Sequence, residues 1–162
     1  MPRELDDNPA PAGRPARLVL GFDYGLKNIG VAVGQELTRT ATPLATVRAA
    51  AGRPDWNAIT ALIREWQPGA LVVGVPRHRD GSAHAMTEAA QRFARRIEGR
   101  YRLPVYTVDE RLSSREAQHL VKVAGTQRRR RTRGTVDDVA AQVILHTWFE
   151  QQRDDHEHDD RG

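Results

Sequence analysis

Carboxylates stand at the ends of three apolar runs in this chain. Asp23 closes LVLGFD, Asp109 and Glu110 close PVYTVDE, and Asp137 and Asp138 open VDDVAAQVIL. Each has a plain structural use when taken singly. Asp23, ahead of Tyr24 and Gly25, suits a turn or, with the glycines, a nucleotide-holding loop. Glu110 can pair with Arg111, and Asp137 and Asp138 favour the N-terminal dipole of a helix. Taken together, the acids suit a different chemistry. Converging carboxylates in a chain without cysteine offer hard oxygen donors, the set that Mg2+ or Mn2+ prefers. One or two such ions support in-line displacement at a phosphodiester. With no cation, the like charges would repel and raise one another's pKa values.

Cationic side chains flank the acids and are the candidates to bind or orient the phosphates of a nucleic acid. Lys27 lies in the turn after Asp23, Arg77 follows the apolar run ALVVGV, and Arg111 follows Glu110. Arg128, Arg129, Arg130, Arg131 and Arg133 form the run TQRRRRTRG ahead of Asp137. No aromatic residue interrupts that run, so it fits phosphate contact rather than base stacking.

The elements that must position these groups follow from the apolar patterning. RLVLGFD reads as a buried strand, IGVAVGQ as a second, and a third falls at about 42–48, an antiparallel meander. After Pro54, DWNAITALIREWQ places Trp56, Ile59, Leu62, Ile63 and Trp66 at helical spacing, and Pro68-Gly69 stops it. ALVVGV, 70–75, is an uninterrupted apolar strand of the kind buried on both faces. A helix at about 84–99, a strand at 104–108, a helix from the Ser113-Ser114 cap with Glu116 to about Gly125, and a last helix at about 135–150 complete the order.

An antiparallel start followed by β-α-β units predicts an α/β fold. Its sheet is mixed and five-stranded, three antiparallel strands then parallel ones, with helices on both faces. The parallel strands present their carboxyl ends on one edge, where sites in such folds form, so Asp23 and Glu110 are expected as neighbours there. On the last helix, Val136, Val139, Ala140, Val143, Ile144 and Trp148 define the expected inward stripe. At about 100° per residue, Asp137 falls on its flank, Asp138 on the far side with Gln142, and Leu145 fits no part of it.

The bulk composition narrows the partner. The chain has 162 residues with 25 Lys+Arg and 21 Asp+Glu, net +4. Residues 1–16 and the acidic 151–162 are too polar to bury a core and are expected to be disordered tails. They hold four of the basic and eight of the acidic residues, so the body, 17–150, carries 21 bases against 13 acids, net +8. A basic body points to nucleic acid. The first residues lack an apolar signal core, and no apolar run approaches the ~20 residues of a membrane span. A cytoplasmic protein with no membrane partner is therefore expected.

At this point FDYGLKNIGVAV, VVGVPRHRDGS, VDERLSSREA and TVDDVAAQVIL, in that order over about 17–150, resemble the YqgF (also called RuvX) family, pre-16S rRNA nucleases related to Holliday-junction resolvases. The resemblance implies an RNase H-like fold and an acidic site of Asp23, Glu110 and Asp137. It also implies a role in maturing the 5′ end of 16S rRNA, with branched-DNA resolution as the related alternative, by a monomer or homodimer. Gln35 stands where many relatives carry an acid. Two other readings compete. Actin- and hexokinase-type ATPases also begin with Asp-x-Gly, but need a second domain for which this chain is too short. A non-catalytic RNA-binding factor for ribosome assembly or transcription would gain nothing from acids amid its basic surface.

Overall fold

The computed structural model describes residues 17–78, 80–112 and 136–161, with side chains of the last segment described for 139–152. The stretch 1–16, the helix expected from Ser113, and Arg128, Arg129, Arg130, Arg131 and Arg133 lie outside the described residues.

Strands β1 (Leu18–Asp23), β2 (Asn28–Gln35) and β3 (Thr40–Ala50) form the antiparallel meander, and β4 (Arg53–Pro54) adds a two-residue ladder to β3. Then come α1 (Trp56–Trp66), β5 (Ala70–Val75), α2 (Ala85–Tyr101), β6 (Val105–Asp109), a 3-10 turn (Glu110–Leu112) and α3 (Val136–Arg161). The sheet order is β4-β3-β2-β1-β5-β6, with β5 parallel to both β1 and β6. The expected mixed α/β sheet is therefore present, with six strands rather than five. The extra one is too short for a pattern-based reading to detect.

Local chemistry sets the helix ends. The Asp55 side chain accepts from the Ala58 N–H at 3.3 Å to start α1, and Gln67, left-handed at φ 46°, ends it before Pro68. For α2, His84 is the cap: its Nδ1 accepts from the Met86 N–H at 3.2 Å, and Thr87 Oγ1 accepts from the His84 N–H at 3.0 Å.

Alternation along the strands separates two cores. Leu20 and Phe22 of β1 face α1 and α2, packing with Leu71, Val73, Ile59, Phe93 and Ile97. Val19 faces α3, with Val72, Val108, Ala141, Ile144, Leu145 and Trp148. Each large side chain buried this way contributes roughly 1.5–3 kcal/mol, so the strand pattern fixes which acid meets which helix.

The last helix departs from expectation in two ways. It continues past residue 150 to Arg161. Its buried face is Ala141, Ile144, Leu145, Trp148 and Phe149, with Gln142 and Thr147 beside them, whereas Val139, Ala140 and Val143 are half-buried. Gln142, expected toward solvent, is 4% exposed and its Nε2 donates to the Ala41 carbonyl at 2.7 Å. The cause lies in the sheet. A Cβ on Gly21 would sit 2.6 Å from Leu145 Cγ, and one on Gly34 3.0 Å from Phe149 Cζ. These glycines open a trough that receives Leu145 and Phe149, and a wheel drawn from the helix alone cannot see it.

Candidate active site

The carboxyl ends of β1, β5 and β6 lie on one edge of the sheet. Register places Phe22 beside Val73, and Gly74 beside Val108. Asp23 therefore ends β1 next to Gly74 of β5, and Glu110 starts just beyond β6, with β5 lying between them. A glutamate reaches across where an aspartate would not, provided the middle strand offers no side chain. Gly74 meets that condition. A Cβ there would stand 2.8 Å from Glu110 Oε1 and would overlap the Ile144 side chain of α3. The Glu110 carboxyl lies over the bare backbone of β5 and shares a hydrogen bond with Asp23.

That pairing selects between the two acids after β6. Asp109 faces away and holds Arg111: Nε and Nη2 donate to its carboxylate at 3.1 and 2.6 Å, and the Arg111 N–H donates to Oδ1 at 2.9 Å. Arg111 holds Asp109 below the usual carboxylate range. Glu110 thus pairs with Asp23 instead of with Arg111.

Glu110 is pushed above its ordinary pKa, chiefly by burial and further by the Asp109 charge, with the Asp23 hydrogen bond opposing. The folded chain therefore holds this proton more tightly than the unfolded chain. The stability it contributes is complete below the ordinary glutamate pKa and is lost as pH rises through the raised one. Without divalent cation, Glu110→Gln is expected to melt above the parent near neutral pH, the gap closing in acid. Thermal melts in chelator across that range check it; a lower-melting Gln variant at neutral pH contradicts it.

The other expected site residues divide. Lys27 is exposed in the turn after Asp23, and its carbonyl accepts from the Ala49 N–H at 2.8 Å. Arg77 is half-buried at the same edge, its Nη1 donating to the Gly81 carbonyl at 3.3 Å. The Arg111 guanidinium lies over Gly81, whose φ of +91° suits glycine. Asp137 is in the first turn of α3, but its side chain lies outside the described residues. No group of three or more metal-capable side chains gathers among the described residues; the cluster there consists of Asp23 and Glu110. Its donors are carboxyl oxygens, half-buried and hydrogen-bonded to each other, which fits a hard divalent cation.

Gly74 is the residue that sequence reasoning overlooks. Its signal is a glycine inside an otherwise apolar, valine-rich strand, the usual mark of a close approach.

Residues 17–151 match the family model described as RuvX, Holliday junction resolvase. A protein of Nitrosococcus oceani named "Putative pre-16S rRNA nuclease" is 50% identical over 144 residues, 89% of this chain and 93% of the relative. One of the same name from Hydrogenovibrio crunogenus is 48% identical over 133 residues, 82% of this chain and 93% of the relative. Among solved structures, T. thermophilus RuvC in complex with a Holliday junction substrate superposes with a TM-score of 0.56 at 17% identity, covering 84% of this chain and 95% of that one. The Fowlpox virus resolvase with Holliday junction DNA gives 0.53 at 10% identity, covering 83% and 98%. These resolvases share the fold, a mixed sheet of the RNase H-like kind with helices on both faces.

Proposed function

This chain belongs to the RuvX family, and on that premise we propose that it is a divalent-metal-dependent endonuclease acting at the 5′ end of precursor 16S rRNA. Asp23, Glu110 and Asp137 hold the metal, Mg2+ or Mn2+. The observation that carries this reading is the Asp23–Glu110 carboxyl pair set over Gly74 at the carboxyl edge of the parallel strands. The cation supplies positive charge against the phosphoryl oxygens and a water nucleophile usable at neutral pH. The protein's own groups do the rest. Asp23 and Glu110 would hold the ion, releasing to solvent the proton that burial retains on Glu110. Lys27, Arg77 and the run from Arg128 to Arg133 bind the phosphates on either side of the scissile one. Arg111, locked onto Asp109, keeps that acid out of the metal shell and adds positive charge to the edge.

The family description as a resolvase supports a second substrate, branched DNA. Cutting a junction symmetrically requires a two-fold dimer, whereas trimming an RNA end requires one chain. The deciding experiment offers purified protein a 5′-extended 16S precursor and a four-way DNA junction, in Mg2+, in Mn2+ and in chelator. Metal-dependent cleavage of the RNA is expected. Cleavage in chelator, or of neither substrate, overturns the proposal.

The choice of Asp137 over its neighbour has its own test, because the apolar stripe that favours it is not the face that α3 buries. Asp137→Asn is expected to cost at least about a hundredfold in cleavage rate, the scale of losing one preorganised charge at a reacting phosphoryl group. Asp138→Asn should stay within about threefold. The reverse order in single-turnover rates would move the third ligand to Asp138.

A further inference from the structure

Four arginines gather on the layer of α1 and α2, the side of the sheet away from the Asp23–Glu110 pair. Arg53, Arg95, Arg96 and Arg100 line one open cavity of about 600 Å3, together with Trp56 and Gly99. Among the described residues no acid lines it; Glu98 borders a separate cavity. Among the described residues none of these four arginines makes an ion pair. One of them is held in place: the Arg100 guanidinium carbon sits 4.1 Å from the centroid of the Trp56 ring. Trp56 also stacks on Phe93, centroids 6.1 Å apart and planes 18° from parallel, which ties it to the core.

These contacts say what the cavity can take. Guanidiniums gathered around one opening repel, and an anion spread along the opening relieves that repulsion. With Arg100 over it and Phe93 against it, the Trp56 ring is already engaged and serves as a pedestal for the guanidinium rather than a platform for a base. The remaining donors are planar forks suited to phosphate oxygens. The cavity also connects to the site. Tyr24, next to Asp23, donates from its hydroxyl to the Gly52 carbonyl at 2.8 Å, and Arg53 follows Gly52. That bond ties the turn after Asp23 to the strand that carries Arg53.

We propose that this arginine cavity is a second phosphate-backbone site. It grips an uncut arm of a structured nucleic acid whose scissile strand lies at Asp23 and Glu110 on the other layer. The inference rests on the nuclease reading for what the second site serves. Its binding test does not.

Gly99 supplies the test. A Cβ at Gly99 would meet nothing within 4 Å, and either replacement raises helix propensity over glycine. Gly99→Glu places a carboxylate among the arginines, and Gly99→Lys makes the same backbone change with the opposite charge. The probes are an end-labelled RNA hairpin with a single-stranded extension and an oligonucleotide too short to span both layers. Gly99→Glu is expected to weaken hairpin binding about tenfold. It should also flatten the salt dependence, by about 0.7–0.9 in log–log slope for each phosphate the arginines no longer neutralise. Gly99→Lys should bind at least as tightly as the parent. Short-oligonucleotide cleavage should be the same in all three. If Gly99→Glu binds the hairpin with the parent's affinity and slope, the cavity proposal fails while the nuclease reading stands. If binding follows the charge at residue 99 but no substrate is cut, the cavity holds and the nuclease reading fails. A polyglutamate that displaces the hairpin as readily as RNA of equal charge would mark the cavity as a dock for acidic protein and overturn the proposal.

Discussion

Asp23→Asn and Glu110→Gln should each reduce phosphodiester cleavage by at least about a hundredfold while leaving RNA affinity intact or slightly higher. The reason is a separation of tasks between the two kinds of charge at this edge. The acids contribute nothing attractive to a polyanion; their value lies in the cation they hold and the charge it sets against the reacting phosphoryl group. An amide keeps the shape and one oxygen but loses the negative charge, so the ion is bound weakly or out of place. Repulsion of the substrate falls at the same time, which is why binding survives. Asp23→Glu should not restore the rate, because Gly74 leaves space for one long acid from the β6 side and none for a second from β1. Single-turnover rates in Mg2+ and Mn2+, with binding measured in parallel, check this. Rates within a few-fold of the parent for either amide variant would remove that residue from the site. Glu110→Gln carries an internal control, since it should melt higher than the parent at neutral pH in chelator and its inactivity then cannot come from unfolding.

The strand ends and the acids on them are legible in the sequence because both are local facts. LVLGFD and ALVVGV are apolar runs closed by punctuation, and parallel strands leave their carboxyl ends on one edge whatever the loops do. Asp23 and Glu110 become neighbours by that rule, although 87 positions separate the two residue numbers. What the sequence does not reveal is why Glu110 rather than Asp109 turns to Asp23, since that depends on a guanidinium folding back two residues and on an empty place in a strand from elsewhere in the chain. The buried face of α3 is hidden for a related reason. Leu145 fits no stripe until Gly21 and Gly34 are set beneath it, and Gln142 reads as a surface residue until the Ala41 carbonyl is found within 2.7 Å of its amide. A periodicity reports which side of a helix is apolar. It does not report the shape of the surface that receives it. The two-residue strand β4 falls below the length at which a pattern exists, yet it carries Arg53 to the arginine cavity.

Gly74 and Gly21 allow the site's geometry to be separated from the fold's packing. Both are strand glycines beneath α3, and a methyl on either collides with that helix: with Ile144 from Gly74, and with Leu145 Cγ at 2.6 Å from Gly21. Overpacking of this kind costs about 1–3 kcal/mol, so both Ala variants should melt several degrees below the parent. They differ in what else the methyl meets. At Gly74 it stands 2.8 Å from Glu110 Oε1 and pushes the carboxyl off Asp23, while around Gly21 the nearest atoms all belong to Leu145. A displacement of about 1 Å in a catalytic group costs on the order of a hundredfold in rate. Gly74→Ala should therefore lose about that much in kcat with KM little changed, measured well below its melting temperature, whereas Gly21→Ala should keep the parent's kcat once folded. Adding Ile144→Val to Gly74→Ala removes Cδ1, the nearer of the two Ile144 atoms that the new Cβ strikes, and leaves the lesser overlap with Cγ1 at 2.8 Å. The double variant should regain part of the lost melting temperature and none of the lost rate, because the contact with Glu110 is untouched. Recovery of the rate along with the melting temperature would show that Gly74 serves packing alone, and that Glu110 reaches Asp23 by a route that does not need the bare backbone of β5.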